Sequence, residues 1–438
     1  MPASSSAALA SPTPSSGTPS TSTSTTRSAK ATPSSSSTAA ATRSARRASS
    51  RSTSGDRPWA AEAERGMPSF TTVREIVAGV GSLSCVGQRA AALGGRALLV
   101  TGRSAMRQSG ATDKVLALLA QAGVEAELFD QVEHDPATTT VDAGRAACRE
   151  RACQVVVGLG GGSALDAAKA IAALVHEAAP TADFVAGKPI GQPGLPFIAI
   201  PTTSGTGAEV TKNAVISDRA ARLKQSIRAE CMMPAVAIVD PELTVSCPPW
   251  VTAAAGMDAL VQAIEAFTSV NATPLTDALA FDAACRLIRW LAVAWEDGAN
   301  LAAREQCAYA SLMAGMALAN ARLGAVHGMA HPVGARYGLE HGVICALLMP
   351  HVMRLNRDFV GDKYHQLSVA AGGNIIAFVE ALVARFGLRR ALDGVAIPRE
   401  DFPAIARESL PSGSMKANPR KFTEEDVAAV LEGLVGKA

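Results

Sequence analysis

The run Val155-Val156-Val157-Gly158-Leu159-Gly160-Gly161-Gly162-Ser163 passes directly into Ala164-Leu165-Asp166-Ala167-Ala168-Lys169-Ala170. Three consecutive β-branched residues bounded by glycine predict a buried strand, and the Ala-rich run predicts a helix. Glycines at such a turn let a backbone approach a phosphate closely, and the start of the following helix offers free N–H groups and a partial positive charge. The spacing is not the ordinary G-x-G-x-x-G fingerprint. A tight strand–helix turn with no ligand is the competing reading.

Four further short apolar runs predict buried strands: Ala97–Val100, Ala126–Phe129, Phe197–Ile200 and Val236–Val239. Helical stretches lie between them, among them Asp113–Ala122 and Asp142–Arg151. Alternating strand and helix implies a parallel sheet with crossover helices. After Pro248-Pro249 the chain turns to Ala, Leu and Met at helical spacing through Leu434. Proline pairs punctuate structure. The expected fold is therefore α/β plus all-α, with an α/β domain over 67–247 and an all-helical domain over 248–438.

Two constellations carry chemistry. Pro201-Thr202-Thr203-Ser204-Gly205-Thr206-Gly207 follows a predicted strand and places four hydroxyls within five residues. That suits a ligand crevice at a strand's carboxyl end, although an ordinary Ser/Thr turn would read the same way. The chain has seven histidines, three of them within fifteen residues: His327, His331 and His341. His327 and His331 share a face if helical, as do Asp258 and Gln262 upstream. Two imidazoles and a carboxylate suit a divalent metal; separately satisfied histidines are the alternative.

The 438 residues are 48% hydrophobic and 18% charged, enough for a large core and two or three domains. Residues 1–55 depart from this, with 29 Ser or Thr, six basic residues, no acidic one and no aromatic. Such a segment buries too little surface to offset its ordering entropy, so 1–66 is read as a disordered tail. The segment through Gly66 carries a net charge of +5 out of +2 overall, which leaves −3 for 67–438. Nucleic-acid binding by the body gains no support from that charge. The tail reads as an organellar transit peptide, a solvated tail, or an upstream extension with Met67 the true start. It has no apolar h-region, and no run approaches the roughly 18–20 apolar residues of a membrane span. Eight scattered cysteines without a C-x-x-C pair point to free thiols in a reducing, cytoplasmic compartment.

The segments GLGGGSALDAAKAIAAL, PTTSGTGAEVTKNAVI, DPELTVSCPPWVTAAAGMDAL and GAVHGMAHPVGARYGLEHGVICALLMPHVM, in that order, resemble iron-containing (group III) alcohol dehydrogenases. The likeness spans most of 70–435. That family shares its fold with the dehydroquinate synthase-like superfamily. The resemblance implies a Rossmann-like dinucleotide-binding domain followed by a helical metal-binding domain. It implies NAD or NADP as cofactor, one Fe(II) or Zn(II) ion, a small alcohol or aldehyde substrate, and a homo-oligomer, dimer or larger. By motif, Asp258, His327 and His341 would ligate metal, and His331 would sit near the nicotinamide and relay protons. Gly160, Gly161, Gly162 and Ser163 would hold the pyrophosphate, with Asp166 and Lys169 in the same motif. Thr202, Thr203 and Thr206 would line the crevice.

Two departures stand out. Many members of the family have His where this chain has Gln262, which can ligate only weakly through its amide oxygen. Zinc therefore competes with iron, since three protein ligands plus water is a catalytic zinc pattern. Members that prefer NAD often carry Asp where this chain has Gly102, before Arg103 and Ser104. Glycine there removes repulsion of a 2′-phosphate, so NADP is expected to be accepted. The competing functions are a maleylacetate reductase-like oxidoreductase, a cyclising lyase, and a non-catalytic nucleotide- or metal-binding homologue. A lyase acting on a phosphate substrate would need several basic residues, and only Arg322 and Arg336 flank the histidines.

Overall fold

The structure is a computed structural model, and it describes residues 69–436. The expected tail, and with it the transit-peptide and start-site readings, lies outside the described residues. Eight strands come first: β1 (Glu75–Ala78), β2 (Arg96–Gly102), β3 (Glu125–Val132), β4 (Val155–Gly160), β5 (Phe197–Pro201), β6 (Asn213–Asp218), β7 (Leu223–Arg228) and β8 (Val236–Val239). Six of them form one sheet in the order β1-β8-β5-β4-β2-β3. Every pairing in it is parallel. All six residues of β4 are buried, as are the five of β5 and the four of β8. Strands covered on both faces need no polar alternation, which is why they read as continuous apolar runs.

Five of the six sheet strands sit where the apolar runs put them. Strand β1 was missed because it is four residues long and half-buried, and it pairs only with β8. The antiparallel hairpin β6–β7 was missed too. Only Ala214, Ile216 and Ile227 are buried in it, so its sequence looks like loop.

The crossover helices are α1 (Ala111–Gln121), α2 (Thr138–Glu150) and α3 (Gly162–Leu174). From β2 the chain passes outward to β3. From β4 it passes the other way, to β5. The carboxyl ends of β2 and β4 therefore flank the point where the winding reverses, the place where open α/β sheets bind ligands. Gly102 ends β2, and Gly160 ends β4.

Beyond β8 the chain is helical. The long elements are α4 (Pro249–Thr268), α5 (Pro274–Glu296), α6 (Leu301–Ala321), α7 (Ala325–Tyr337) and α8 (His341–Asn356). Helix α4 is buried on every side from Gly256 to Thr268, with α5, α6 and α8 against it. Its first turn begins at Pro249, where a missing N–H costs nothing. Among the described residues no single helix is long and apolar enough to cross a membrane.

Lys169 fastens α3 to the hairpin. Its fully buried ammonium donates to Ala208 O at 2.7 Å, Asn213 O at 2.8 Å and Thr211 Oγ1 at 3.1 Å. Glu209 is buried nearby, and burial pushes its carboxyl up to about 7 from 4.5. The folded chain thus holds the Glu209 proton more tightly than the unfolded chain does. This site's stabilising contribution is complete below the unfolded value and is lost as pH rises through about 7. Guanidinium unfolding midpoints at about pH 5 and about pH 8 should therefore converge in Glu209→Gln relative to the parent; an unchanged pH difference would contradict the assignment.

Candidate metal and nucleotide site

The glycine turn makes a cradle at the carboxyl end of β4. Gly160 has φ +150°, a conformation side-chain-bearing residues avoid, and a Cβ there would lie 2.7 Å from Ala164 Cβ. A Cβ at Gly162 would lie 2.8 Å from Thr206 Cγ2. Glycine at these positions keeps the start of α3 open, and the N-cap residue is Gly161, which has no side chain to cap that helix. Uncapped N–H groups at a helix start fit an anion such as a pyrophosphate.

The other expected contacts fall around this turn. Thr203 Cγ2 and Oγ1 would be 3.4 Å from a Cβ at Gly161, so Thr203 borders the cradle beside Thr206. Thr202 is buried; its N–H donates to Gly160 O at 3.0 Å, which ties the hydroxyl loop to the glycine turn. Ser163 Oγ accepts from Asp135 N at 3.4 Å, and Asp166 Oδ2 accepts from Val215 N at 2.9 Å. Those two side chains are engaged by the backbone around the turn. At Gly102 a Cβ would meet only Val132 O, at 3.7 Å, so no packing constraint demands glycine there.

The second cluster is built by α4, α7 and α8. Asp258 and Gln262 are one turn apart on α4, both buried. His327 lies in the first turn of α7, and His341 is the first residue of α8. The approach of α8 to α4 depends on Gly342, where a Cβ would fall 2.2 Å from Ala254 O. His341 Nε2 is thereby brought to 3.7 Å from Asp258 Oδ1, and His327 Nε2 lies 3.3 Å from the same oxygen. Cys345, one turn beyond His341, completes a set whose donor atoms all lie within 4.8 Å of one another.

Burial opposes charge on Asp258, but His341 and then His327 hold its carboxyl below the usual range. Burial likewise opposes charge on both imidazoles. Cys345 and Asp258 outweigh it, with Glu265 also acting on His327, and raise both pKa values. His331 stands apart. Its ring stacks on His341 with centroids 5.0 Å apart. The surrounding protein, then the charges of His341 and His327, push its pKa down, so it is neutral near pH 7. His331 and His341 both open onto a cleft of about 310 Å³ that also reaches His134, Asp135, Lys224 and Trp250. Since Asp135 touches Ser163, that cleft adjoins the glycine turn.

Sequence reading missed two members of this site. Glu265 is buried, accepts from Gly324 N at 2.9 Å and Val326 N at 2.7 Å, and pairs with His327 Nδ1 at 2.7 Å. It therefore caps α7 and orients the His327 ring, with Nε2 directed at Asp258. The signal was the i, i+4, i+7 spacing of Asp258, Gln262 and Glu265 along one helix face. Cys345 carried a similar signal, four residues after His341.

The donor chemistry fits a divalent ion: one carboxylate, two imidazoles and a thiol converge. Beside them Gln262 Oε1 is buried without a hydrogen-bond partner among the described residues. Gln262 Nε2 donates to Asp258 Oδ2 at 2.9 Å, so the amide holds the carboxylate.

The family model described as iron-containing alcohol dehydrogenase matches residues 73–241, and that of the Fe-containing alcohol dehydrogenase family, C-terminal, matches 252–435. The chain belongs to the iron-containing alcohol dehydrogenase family. It is an oxidoreductase of that kind. It is 38% identical over 367 residues to a 1,3-propanediol dehydrogenase of Klebsiella pneumoniae, covering 81% of this chain and 95% of the relative. An NAD-dependent methanol dehydrogenase of Bacillus methanolicus is 34% identical over 378 residues, covering 84% and 99%. A crystal structure of a 1,3-propanediol oxidoreductase superposes with TM-score 0.80 at 37% identity, covering 84% of this chain and all of that one. Family members thus share the two-part architecture described above.

Glu265→Gln should keep the fold but weaken metal retention by roughly 10–100-fold, as outer-sphere partners of ligating histidines do. Competition with a chelator, read by elemental analysis, measures it; unchanged retention would deny Glu265 this role.

Proposed function

We propose that the chain interconverts small primary alcohols and aldehydes by hydride exchange with NAD(P)(H) at the cleft bordered by His331 and His341. The observation that carries this is the convergence of Asp258, His327 and His341 at the wall of a cleft that adjoins an uncapped glycine turn. When bound, a divalent ion supplies Lewis-acid polarisation of the substrate oxygen, and the nicotinamide gives or takes the hydride.

In this reading Asp258, His327 and His341 hold the ion, with Gln262 steadying Asp258 and Glu265 steadying His327. Gly160, Gly161, Gly162 and Ser163 receive the pyrophosphate at the start of α3, beside Thr203 and Thr206. Thr202 braces that turn, and Asp166 ties α3 to the hairpin. His331, neutral and open to the cleft, takes the proton from the alcohol or returns it to the alkoxide. The cleft's modest volume and its Trp250 wall suit short substrates. The relatives' names, propanediol and methanol dehydrogenase, point the same way. The domain division at 247/248, a homo-oligomer of two or more copies, and a cytoplasmic setting belong to the same proposal. Eight free cysteines support that setting.

The test is metal-dependent oxidation of NADH or NADPH with short aldehydes, before and after Fe(II) or Zn(II) is restored to chelated protein. No turnover with either ion would overturn the reading. His331→Ala should lower kcat by about 10²–10⁴-fold, the usual weight of a proton-transfer group, while metal content is unchanged. Loss of metal would make His331 a ligand instead.

Gly102, with no packing constraint on it, supports acceptance of NADPH. Gly102→Asp should shift kcat/KM toward NADH by at least about tenfold, through repulsion of the 2′-phosphate. An unaltered ratio would remove Gly102 from cofactor choice.

A further inference from the structure

We propose that Cys345 is a protein ligand of the metal, so that this chain carries an Asp–His–His–Cys donor set and selects zinc over iron. The inference rests on the metal reading above and goes beyond it in naming the fourth donor and the ion.

Geometry is the first support. Bonds of about 2.0–2.3 Å to one tetrahedral ion place neighbouring donors roughly 3.3–3.8 Å apart. The three measured separations fall there: His327 Nε2 to Asp258 Oδ1 is 3.3 Å, His341 Nε2 to Asp258 Oδ1 is 3.7 Å, and Cys345 Sγ to His341 Nε2 is 3.7 Å. His341 and Cys345 are four residues apart on α8, so one helix face delivers both. Cys345 is fully buried, and no other such group of His, Cys, Asp and Glu occurs among the described residues.

Gln262 is the second and independent support. It is 4% exposed, and its Oε1 has no hydrogen-bond partner among the described residues. Its Nε2 is engaged with Asp258 Oδ2. The position from which the resemblance implies an imidazole therefore holds an amide whose Nε2 is committed to Asp258 and whose oxygen is only a weak donor, so no strong fourth donor comes from α4. The Cys345 thiol, on α8, is the further strong donor within the cluster.

The chemistry then favours zinc. Thiolate is a soft ligand that suits zinc, whereas an oxygen- and imidazole-only set discriminates less. Asp258 and a Cys345 thiolate together balance the dipositive ion inside a buried site. As the Zn–S bond forms, the thiol S–H bond breaks and its proton leaves to solvent. Zinc accepts a fifth donor, so a substrate oxygen keeps a place on the ion.

The experiment is zinc X-ray absorption spectroscopy on the full wild-type chain loaded with one equivalent of zinc. The expected result is one sulfur at about 2.3 Å beside nitrogen and oxygen at about 2.0–2.1 Å. Bound zinc with a nitrogen- and oxygen-only shell would overturn the proposal and leave the metal site standing. Failure to retain either zinc or iron would overturn both. In parallel, Cys345→Ser should lose the sulfur shell and at least about tenfold in zinc affinity against a chelator, while Cys285→Ser, on α5, should change neither. A sulfur shell that survives in Cys345→Ser would assign the ligand to another cysteine. Given equal Fe(II) and Zn(II) under anaerobic conditions, the wild type should retain zinc; retention of iron would contradict the selectivity.

Discussion

The Glu265 carboxylate is the constraint on which the site depends. It is buried, and it is held by two backbone N–H groups at the start of α7 and by the His327 ring. A buried carboxylate is tolerated only when such donors replace its water. Those same donors set where α7 begins relative to α4. They also fix which face of His327 is presented to Asp258. Gly324 belongs to this arrangement, since a Cβ there would lie 2.7 Å from Glu265 Oε1. Helix placement, ring orientation and the direction of the free imidazole nitrogen thus share one cause.

A second close approach works with it. Gly342 lets α8 lie against the backbone of α4, and this brings His341 and Cys345 to the Asp258 carboxylate. The three helices are apolar for most of their length, so their packing buries the polar cluster within a close-packed surround. A pre-formed cluster of that kind is what ligand binding needs, because little reorganisation is left for the ion to drive. The sheet contributes the other half. Parallel winding that reverses between β2 and β4 leaves an opening at their carboxyl ends, and the glycine turn places the start of α3 beside it.

Several features of this chain were legible without coordinates. The apolar runs at β2, β4, β5 and β8 are fully or largely buried strands, and burial on both faces writes itself as continuous hydrophobicity, whereas β3, at the sheet edge, is buried only at Phe129 and Val132. The change at Pro248-Pro249 marks the passage to helices, because proline suits a first turn and little else within a helix. Asp258, His327 and His341 announced themselves by residue type. The strand β1 and the hairpin β6–β7 did not, since neither is buried enough to leave a periodic signal. Asp166 and Lys169 read as part of a phosphate turn, yet both hydrogen-bond toward the hairpin that the sequence concealed.

The sequence alone determined five of the six strands of the parallel sheet, the passage to helices after Pro248-Pro249, the glycine turn and the residue types of a metal site. These depend on local composition and on periodicity within single elements. Only the tertiary structure decided that Gln262 serves Asp258, that Glu265 orients His327, and that Cys345 stands with the histidines. Gln262 lies one turn from Asp258 on α4, but placing Glu265 against His327, and Cys345 beside that same ring, turns on the distance between side chains carried by different helices. That distance is set by packing at two glycines and one buried carboxylate, and no spacing along the chain encodes it.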